Sequence, residues 1–93
     1  MRHPFCLKGI VREQRIICLL DTGASHNFIS SRWVTKRKLQ IDDIPEFEVR
    51  VAGGERLRCT GKVSGLPIHF DDFLLEADFY VVDFDGLDAM LGR

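Results

Sequence analysis

Asp21, Thr22 and Gly23 are the residues best suited to chemistry, because an acid, a hydroxyl and a glycine directly follow five apolar residues, 16–20. The apolar run predicts a strand buried on both faces. Such a strand carries Asp21 into the interior, where a carboxylate is costly unless it is hydrogen-bonded, paired or used. Gly23 permits a sharp turn and the close approach of another backbone, and the Thr22 hydroxyl can bond to neighbouring backbone. The segment therefore predicts a rigidly held carboxylate.

An isolated Asp-x-Gly is ordinary turn sequence, so the wider context decides how it is interpreted. Small residues, Ala24 and Ser25, follow the glycine, and a second apolar segment, 89–91, ends in Gly92 near the other end of the chain. Together these segments resemble the catalytic signature of the retropepsins, the retroviral-type aspartic proteases. The continuation through residues 26–30 is most similar to proteases of gypsy-type LTR retrotransposons.

This resemblance implies an aspartic endopeptidase that cleaves a retroelement Gag-Pol polyprotein with neither a metal ion nor another cofactor. The residues that match the catalytic signature are Asp21, Thr22 and Gly23. The residues expected to contact an extended polypeptide substrate lie in two segments, one directly after the signature and one at the tip of a later hairpin: Ala24, Ser25, His26, Ala52, Gly53 and Gly54.

One copy of Asp21 supplies only one of the two groups that amide hydrolysis needs, a base for water and an acid for the departing nitrogen. Aspartic proteases use two carboxylates that share one proton, because like charges so close together cannot both ionise. The chain has a single Asp-Thr-Gly, so the second carboxylate must come from another copy across a two-fold axis. We therefore expect a homodimer, and the resemblance implies that the Thr22 hydroxyls join the two loops.

Residues 47–59 predict a hairpin with one apolar face. Apolar and charged residues alternate on both sides of Ala52-Gly53-Gly54. A three-residue loop pairs Phe47 with Cys59, Val49 with Leu57 and Glu48 with Arg58, whereas a two-residue loop sets apolar side chains against charged ones. We therefore predict the three-residue loop, with Gly54 in the left-handed conformation. An ordinary surface hairpin would look the same, but the resemblance implies a flap that closes over substrate.

The first forty residues predict a hairpin followed by a short helix. Residues 5–11 form the first strand, and the polar residues 12–15 connect it to the aspartate strand. Ser30 or Ser31 is expected to cap a helical turn that runs through Trp33 toward Leu39.

The remaining residues predict strands. Residues 60–64 continue the hairpin arm, residues 66–70 and 73–82 form two further strands, and residues 88–91 form the last one. The segment 79–82 is apolar on both faces and is predicted to be central in a sheet. The expected fold class is all-β, a small closed barrel-like retropepsin fold with a flap hairpin and at most one short helix, in a single domain of residues 1–93.

Composition limits the classes of partner. With 93 residues and 45% hydrophobic content the chain can bury one modest core. The net charge is −1, but residues 1–40 hold eight Lys or Arg against two Asp or Glu, and residues 41–93 hold five against twelve. Because a compact fold mixes its two halves, we expect no nucleic-acid partner. The scattered histidines and cysteines predict no metal site and no disulfide, and the absence of a long apolar run predicts no membrane contact and a cytoplasmic location.

Two features depart from the retroviral relatives. In many of them an acid follows the Asp-Thr-Gly-Ala segment and meets an arginine placed like Arg93, whereas this chain has Ser25 at that position. Family members also usually continue into a helix and a terminal strand, so we expect a domain truncated at its C-terminus. A second function therefore stays open, a catalytically inactive protease-like domain that acts as a protein-binding or dimerisation module. The intact Asp21-Thr22-Gly23 favours the protease.

Overall fold

The computed structural model describes residues 5–50 and 54–92, which form seven strands and one short helix. In chain order these are β1 (Cys6–Val11), β2 (Gln14–Leu20), β3 (Phe28–Ser30), α1 (Ser31–Lys36), β4 (Asp42–Arg50), β5 (Arg56–His69), β6 (Leu74–Val82) and β7 (Ala89–Leu91).

Six of the strands close into a barrel. Their order around the ring is β1, β2, β7, β3, β6, β5, and the pairing of Ile10 with His69 joins β5 back to β1. The pairs β2–β7 and β3–β6 are parallel, and the remaining pairs are antiparallel. β4 lies outside the ring on the free edge of β5. The predicted fold class, a small closed barrel with at most one short helix, is confirmed for the described residues.

The barrel is filled by side chains from nearly every strand. Ile16, Ile29, Ile68 and Phe79 have no exposed surface, and each comes from a different strand. The main core also includes Trp33 and Val34 of α1, a helix that contacts β3 and β6. β6 lies between β3 and β5, so the prediction that residues 79–82 are central in the sheet is confirmed.

The turn between β1 and β2 is tighter than predicted. The polar connection expected over four residues contains two, Arg12 and Glu13, since Val11 already pairs with Gln14. Both turn residues have positive φ, 49° and 69°. Two positive φ values in a two-residue hairpin loop match a type I′ turn, which Asn-Gly normally occupies. The sequence lacks that signal, so the predicted boundary is wrong by two residues.

Helix α1 begins as predicted. The Oγ of Ser30 accepts a hydrogen bond from the Trp33 backbone N–H at 3.3 Å, so Ser30 is the N-cap and satisfies one of the otherwise unpaired donors of the first turn. The helix ends at Lys36, before Leu39. Over the two described ranges this six-residue helix is the one helix present, and it is too short to cross a membrane.

The hairpin of β4 and β5 has the predicted register. Phe47 pairs with Cys59, Glu48 with Arg58, and Val49 with Leu57. Gly54 has a φ of +84°, which confirms its left-handed conformation. The predicted loop residues Ala52 and Gly53 lie outside the described residues. Beyond the hairpin, the two strand segments predicted at 60–64 and 66–70 form one continuous strand, which register shifts interrupt twice.

Candidate active site

Asp21 directly follows β2, and hydrogen bonds fix its backbone and its carboxylate. Its N–H donates to the carbonyl oxygen of Leu91 at 2.9 Å, and its own carbonyl accepts from the N–H of Ala24 at 3.0 Å. Oδ1 of the carboxylate accepts from the N–H of Gly23 at 2.9 Å. A Cβ on Gly23 would lie 3.3 Å from that same Oδ1, so the glycine leaves room for the contact. The predicted turn therefore holds one carboxylate oxygen in place.

The environment of Asp21 differs from the prediction in one respect. The sequence pattern predicted a strand buried on both faces and an aspartate in the interior. In the structure Ile16 and Cys18 are buried, whereas Ile17, Leu19, Leu20 and Asp21 are half-exposed. Burial alternates along the strand as far as Cys18, and the three residues from Leu19 to Asp21 are all only partly buried.

Asp21 opens onto a cavity of about 530 Å³ between its own loop and the β4 arm of the hairpin. The lining residues are Asp21, Gly23, Ala24, Ser25, His26, Phe28, Phe47, Glu48, Val49, Arg50 and Met90. Five of the nine predicted site residues are therefore brought together. Thr22 is exposed and does not line the cavity, and Gly54 is exposed at the hairpin tip. Ala52 and Gly53 lie outside the described residues.

Gly92 and Asn27 hold the backbone of the aspartate loop in position. A Cβ on Gly92 would lie 2.7 Å from the carbonyl oxygen of Ala24 and closer still to that of His26, so only glycine fits without displacing the loop backbone. The N–H of Gly92 donates to Oδ1 of Asn27 at 2.9 Å, and Nδ2 of Asn27 donates to the carbonyl oxygen of Asp78 at 3.2 Å. Gly92 stood out in the sequence as the end of the second apolar segment. Asn27 was missed, because its partners are 51 and 65 residues away.

Tyr80 on β6 contacts aromatic rings from both walls of the cavity. Its ring lies edge to face with His26 of the aspartate loop, with centroids 5.3 Å apart, and with Phe47 of β4 at 5.2 Å. Edge-to-face pairs at this separation are favourable. Nδ1 of His26 also lies 2.9 Å from Oγ of Ser25. Tyr80 therefore links the hairpin arm to the loop that carries Asp21.

A second acid close to the aspartate strand has a structural role. Oδ2 of Asp88 accepts a hydrogen bond from the backbone N–H of Ile17 at 2.8 Å, and its carbonyl oxygen accepts one from Ser30 at 2.8 Å. Burial, and after it the charge of Asp88, raises the pKa of the Cys18 thiol to about 12. Cys18 has no exposed surface, so it behaves as a small apolar core residue. Neither residue lines the cavity.

The arrangement in one chain provides half of an acid–base pair. Asp21 can act as a base toward water, but an acid for the departing amine must come from elsewhere. The other carboxylate that lines the cavity, Glu48, stands on the hairpin arm and faces Arg58 across the strand pair. In the part of the chain that the structure describes, no three His, Cys, Asp or Glu side chains cluster as metal ligands. A second copy of Asp21 would complete the pair.

Comparison with known proteins agrees with this geometry. The sequence profile of the family described as retroviral aspartyl protease matches residues 8–93. EIAV protease in complex with the inhibitor HBY-793 is similar in structure, with a TM-score of 0.73 and 17% identity over 99% of this chain and 83% of that one. The retroviral protease-like domain of Ddi1 from Leishmania major has a TM-score of 0.67 and 15% identity over 94% and 70% of the two chains. No curated protein sequence is significantly similar to the chain.

Proposed function

Because the chain belongs to the retroviral aspartyl protease family, we propose that it is an aspartic endopeptidase whose two catalytic carboxylates are the Asp21 side chains of a homodimer. The observation that carries this proposal is the position of Asp21, whose carboxylate is fixed by the Gly23 N–H at 2.9 Å and faces the cavity under the hairpin. A fixed carboxylate beside a cavity supports the proposal, and the second copy of Asp21 would supply the acid that one chain lacks.

In the proposed mechanism the two Asp21 carboxylates share one proton. The ionised one accepts a proton from water, which attacks the scissile carbonyl carbon, while the protonated one donates a hydrogen bond to the carbonyl oxygen. As the tetrahedral intermediate collapses, the first carboxyl, now protonated, gives its proton to the departing nitrogen. The hydrogen bond from the Asp21 N–H to the Leu91 carbonyl fixes the backbone, and the bond from the Gly23 N–H fixes the carboxylate, so little reorganisation accompanies the reaction.

Dimerisation is part of the proposal because the single chain leaves its loop uncovered. Thr22 and Gly23 are exposed and Asp21 is half-exposed. In a two-fold dimer these residues would meet their own copies, and the Thr22 hydroxyls would bond between the two loops. Burial at that interface would take the paired carboxylates out of bulk water, which strengthens their sharing of a proton.

The proposed substrate is an extended polypeptide that lies between the aspartate loop and the β4–β5 hairpin. The backbone of the loop and of the tip predicted from sequence, Ala52-Gly53-Gly54, would hold it as an added strand, and the hairpin would act as a flap that opens for entry. We propose that the natural substrate is the Gag-Pol polyprotein of a gypsy-type LTR retrotransposon. The described cysteines are free and two of them are buried, which suits a reducing compartment such as the cytoplasm.

A second candidate is a protease-like domain that binds a protein partner without cleaving it. This candidate is supported by the structural similarity to a domain of Ddi1 from Leishmania major that is described as retroviral protease-like. Under this alternative the cavity would bind an extended segment of the partner, and Asp21 would serve only as a hydrogen-bond acceptor in the loop.

The two candidates differ in what replacing Asp21 does. Asp21→Asn should abolish cleavage of a peptide library while leaving circular dichroism and the melting temperature nearly unchanged. The matched control is Asp85→Asn, the same chemical change at a side chain that is 93% exposed, and it should cleave as the unmodified protein does. Cleavage that survives Asp21→Asn would refute the catalytic assignment. A chain that stays monomeric in sedimentation at high concentration, binds peptides and cleaves none would establish the alternative.

A further inference from the structure

A second groove lies on the side of the barrel where α1 meets the β1–β2 turn. Its volume is about 490 Å³, and its lining residues are Val11, Arg12, Gln14, Trp33, Lys36, Arg37 and Leu39. None of these residues lines the Asp21 cavity. Three of the seven are cationic and none is acidic.

The positive charge of the groove comes from two segments that the fold brings together. Residues 11–15 and 31–39 together hold six Lys or Arg and a single acid, Glu13, and the groove lies where the two segments meet. The ion pairs among the described residues are Arg32–Asp85, Arg58–Glu46 and Lys62–Asp78. The three cations of the groove, Arg12, Lys36 and Arg37, therefore have no carboxylate partner in the part of the chain that is described.

Arg37 is held in position by an aromatic ring instead of an acid. Its guanidinium carbon lies 4.2 Å from the centroid of the Trp33 ring, and Nη1 donates to the Trp33 carbonyl oxygen at 3.4 Å. The ring is itself anchored, because its Nε1–H donates to the carbonyl oxygen of Arg15 at 3.3 Å. A stacked guanidinium keeps its charge and most of its donors for an anion, and less side-chain entropy is lost when it binds one.

The apolar side chains of the groove indicate which polyanion fits. Val11, Trp33 and Leu39 are only 1%, 5% and 7% exposed, so they offer almost no apolar surface to a protein partner, and no free aromatic face to a base. Contacts to a phosphate backbone need only cations and donors and carry no sequence information. We infer that this groove binds the phosphate backbone of a nucleic acid, without sequence preference and separately from the Asp21 site. This differs from the expectation from composition, which predicted no nucleic-acid partner.

Fluorescence anisotropy with a labelled single-stranded RNA of mixed sequence tests the inference. If three phosphates are contacted, the logarithm of the association constant should fall with the logarithm of salt concentration with a slope of about −2. Arg12→Gln together with Lys36→Gln, both exposed side chains, should weaken binding at least about tenfold at low salt and bring the slope to about −0.7. The readout does not involve cleavage, so it is independent of the proposed protease activity.

The matched control removes the same charge elsewhere. Lys8→Gln together with Arg56→Gln, also exposed, should change the affinity less than about threefold if the groove is the site. Equal losses in the two double variants would show that only overall charge matters and would overturn the inference. So would an absence of RNA binding at low salt, or competition by polyglutamate as effective as that by unlabelled RNA, which would assign the groove to acidic proteins.

Discussion

Gly92→Ala should displace the loop that carries Asp21 without changing the aspartate itself. The added Cβ would lie 2.7 Å from the carbonyl oxygen of Ala24, where ordinary contact begins at 3.4 Å, so the loop backbone must move by roughly 0.7 Å. His26 must move as well, because its carbonyl oxygen is closer still. A displacement of about 1 Å in a positioned group can cost about 100-fold in rate. We therefore expect kcat/KM for peptide cleavage to fall by about 10- to 100-fold.

The stability of the variant provides the second measurement. Overpacking of this kind typically costs about 1–3 kcal/mol, and for a domain of this size each kcal/mol lowers the melting temperature by roughly 4–8 °C. Gly65→Ala is the matched control. Its φ of +60° makes the substitution strained, but no atom lies within 4 Å of the added Cβ, so it should lose stability and keep its activity per folded molecule. Equal kcat/KM in Gly92→Ala and the unmodified protein would refute the argument that Gly92 positions the loop.

Three further predictions concern single side chains. Glu13→Gly should stabilise the domain by about 1 kcal/mol in urea titration, because a non-glycine residue there has a φ of 69°; no gain would show that the turn is unstrained. Stability should fall above pH 9 by up to about 1.4 kcal/mol per pH unit, because the unfolded Cys18 thiol, whose ordinary pKa is 9.0, ionises before the folded one. Cys18→Ala should make that slope shallower but not abolish it, because burial also raises the pKa of the Cys59 thiol; an unchanged slope would contradict the role given to Cys18. Tyr80→Leu should lower kcat/KM about tenfold by removing two ring contacts, whereas Tyr80→Phe should not; equal effects would mean that the rings do not position the loop.

The parts of this fold that were predictable from sequence are those that short-range patterns specify. Alternation of apolar and charged residues selected the register that pairs Phe47 with Cys59, because a slip of one residue would turn every side chain to the wrong face. The Ser30 cap follows from hydroxyl chemistry before an apolar turn. The turn that fixes the Asp21 carboxylate follows from Asp and Gly two residues apart.

The parts that were not predictable depend on distant contacts or on exposure. A bridge at Ile10 and His69 closes the barrel, and no local pattern marks it. Asn27 accepts a hydrogen bond from Gly92, 65 residues later in the chain. A single asparagine in a loop does not indicate such a distant partner. Asp21 was predicted to lie in the interior but is half-exposed. An apolar run shows that some part of a strand is buried, but it does not show which residues of the strand are exposed. The cationic groove combines two segments of the chain. The basic run 36–38 taken alone could bind nucleic acid but is more typical of a solvated face.

Mixing two forms of the protein tests the central claim that two copies of Asp21 form one active site. The unmodified chain and Asp21→Asn are combined in equal amounts, at a total concentration well above the dimer dissociation constant, and left to exchange subunits. If catalysis needs both aspartates of a two-fold dimer, random pairing leaves about one quarter of the dimers intact, so activity should be about one quarter of that of the unmodified protein at the same total concentration. An activity of one half would mean that each chain works alone and would contradict the account.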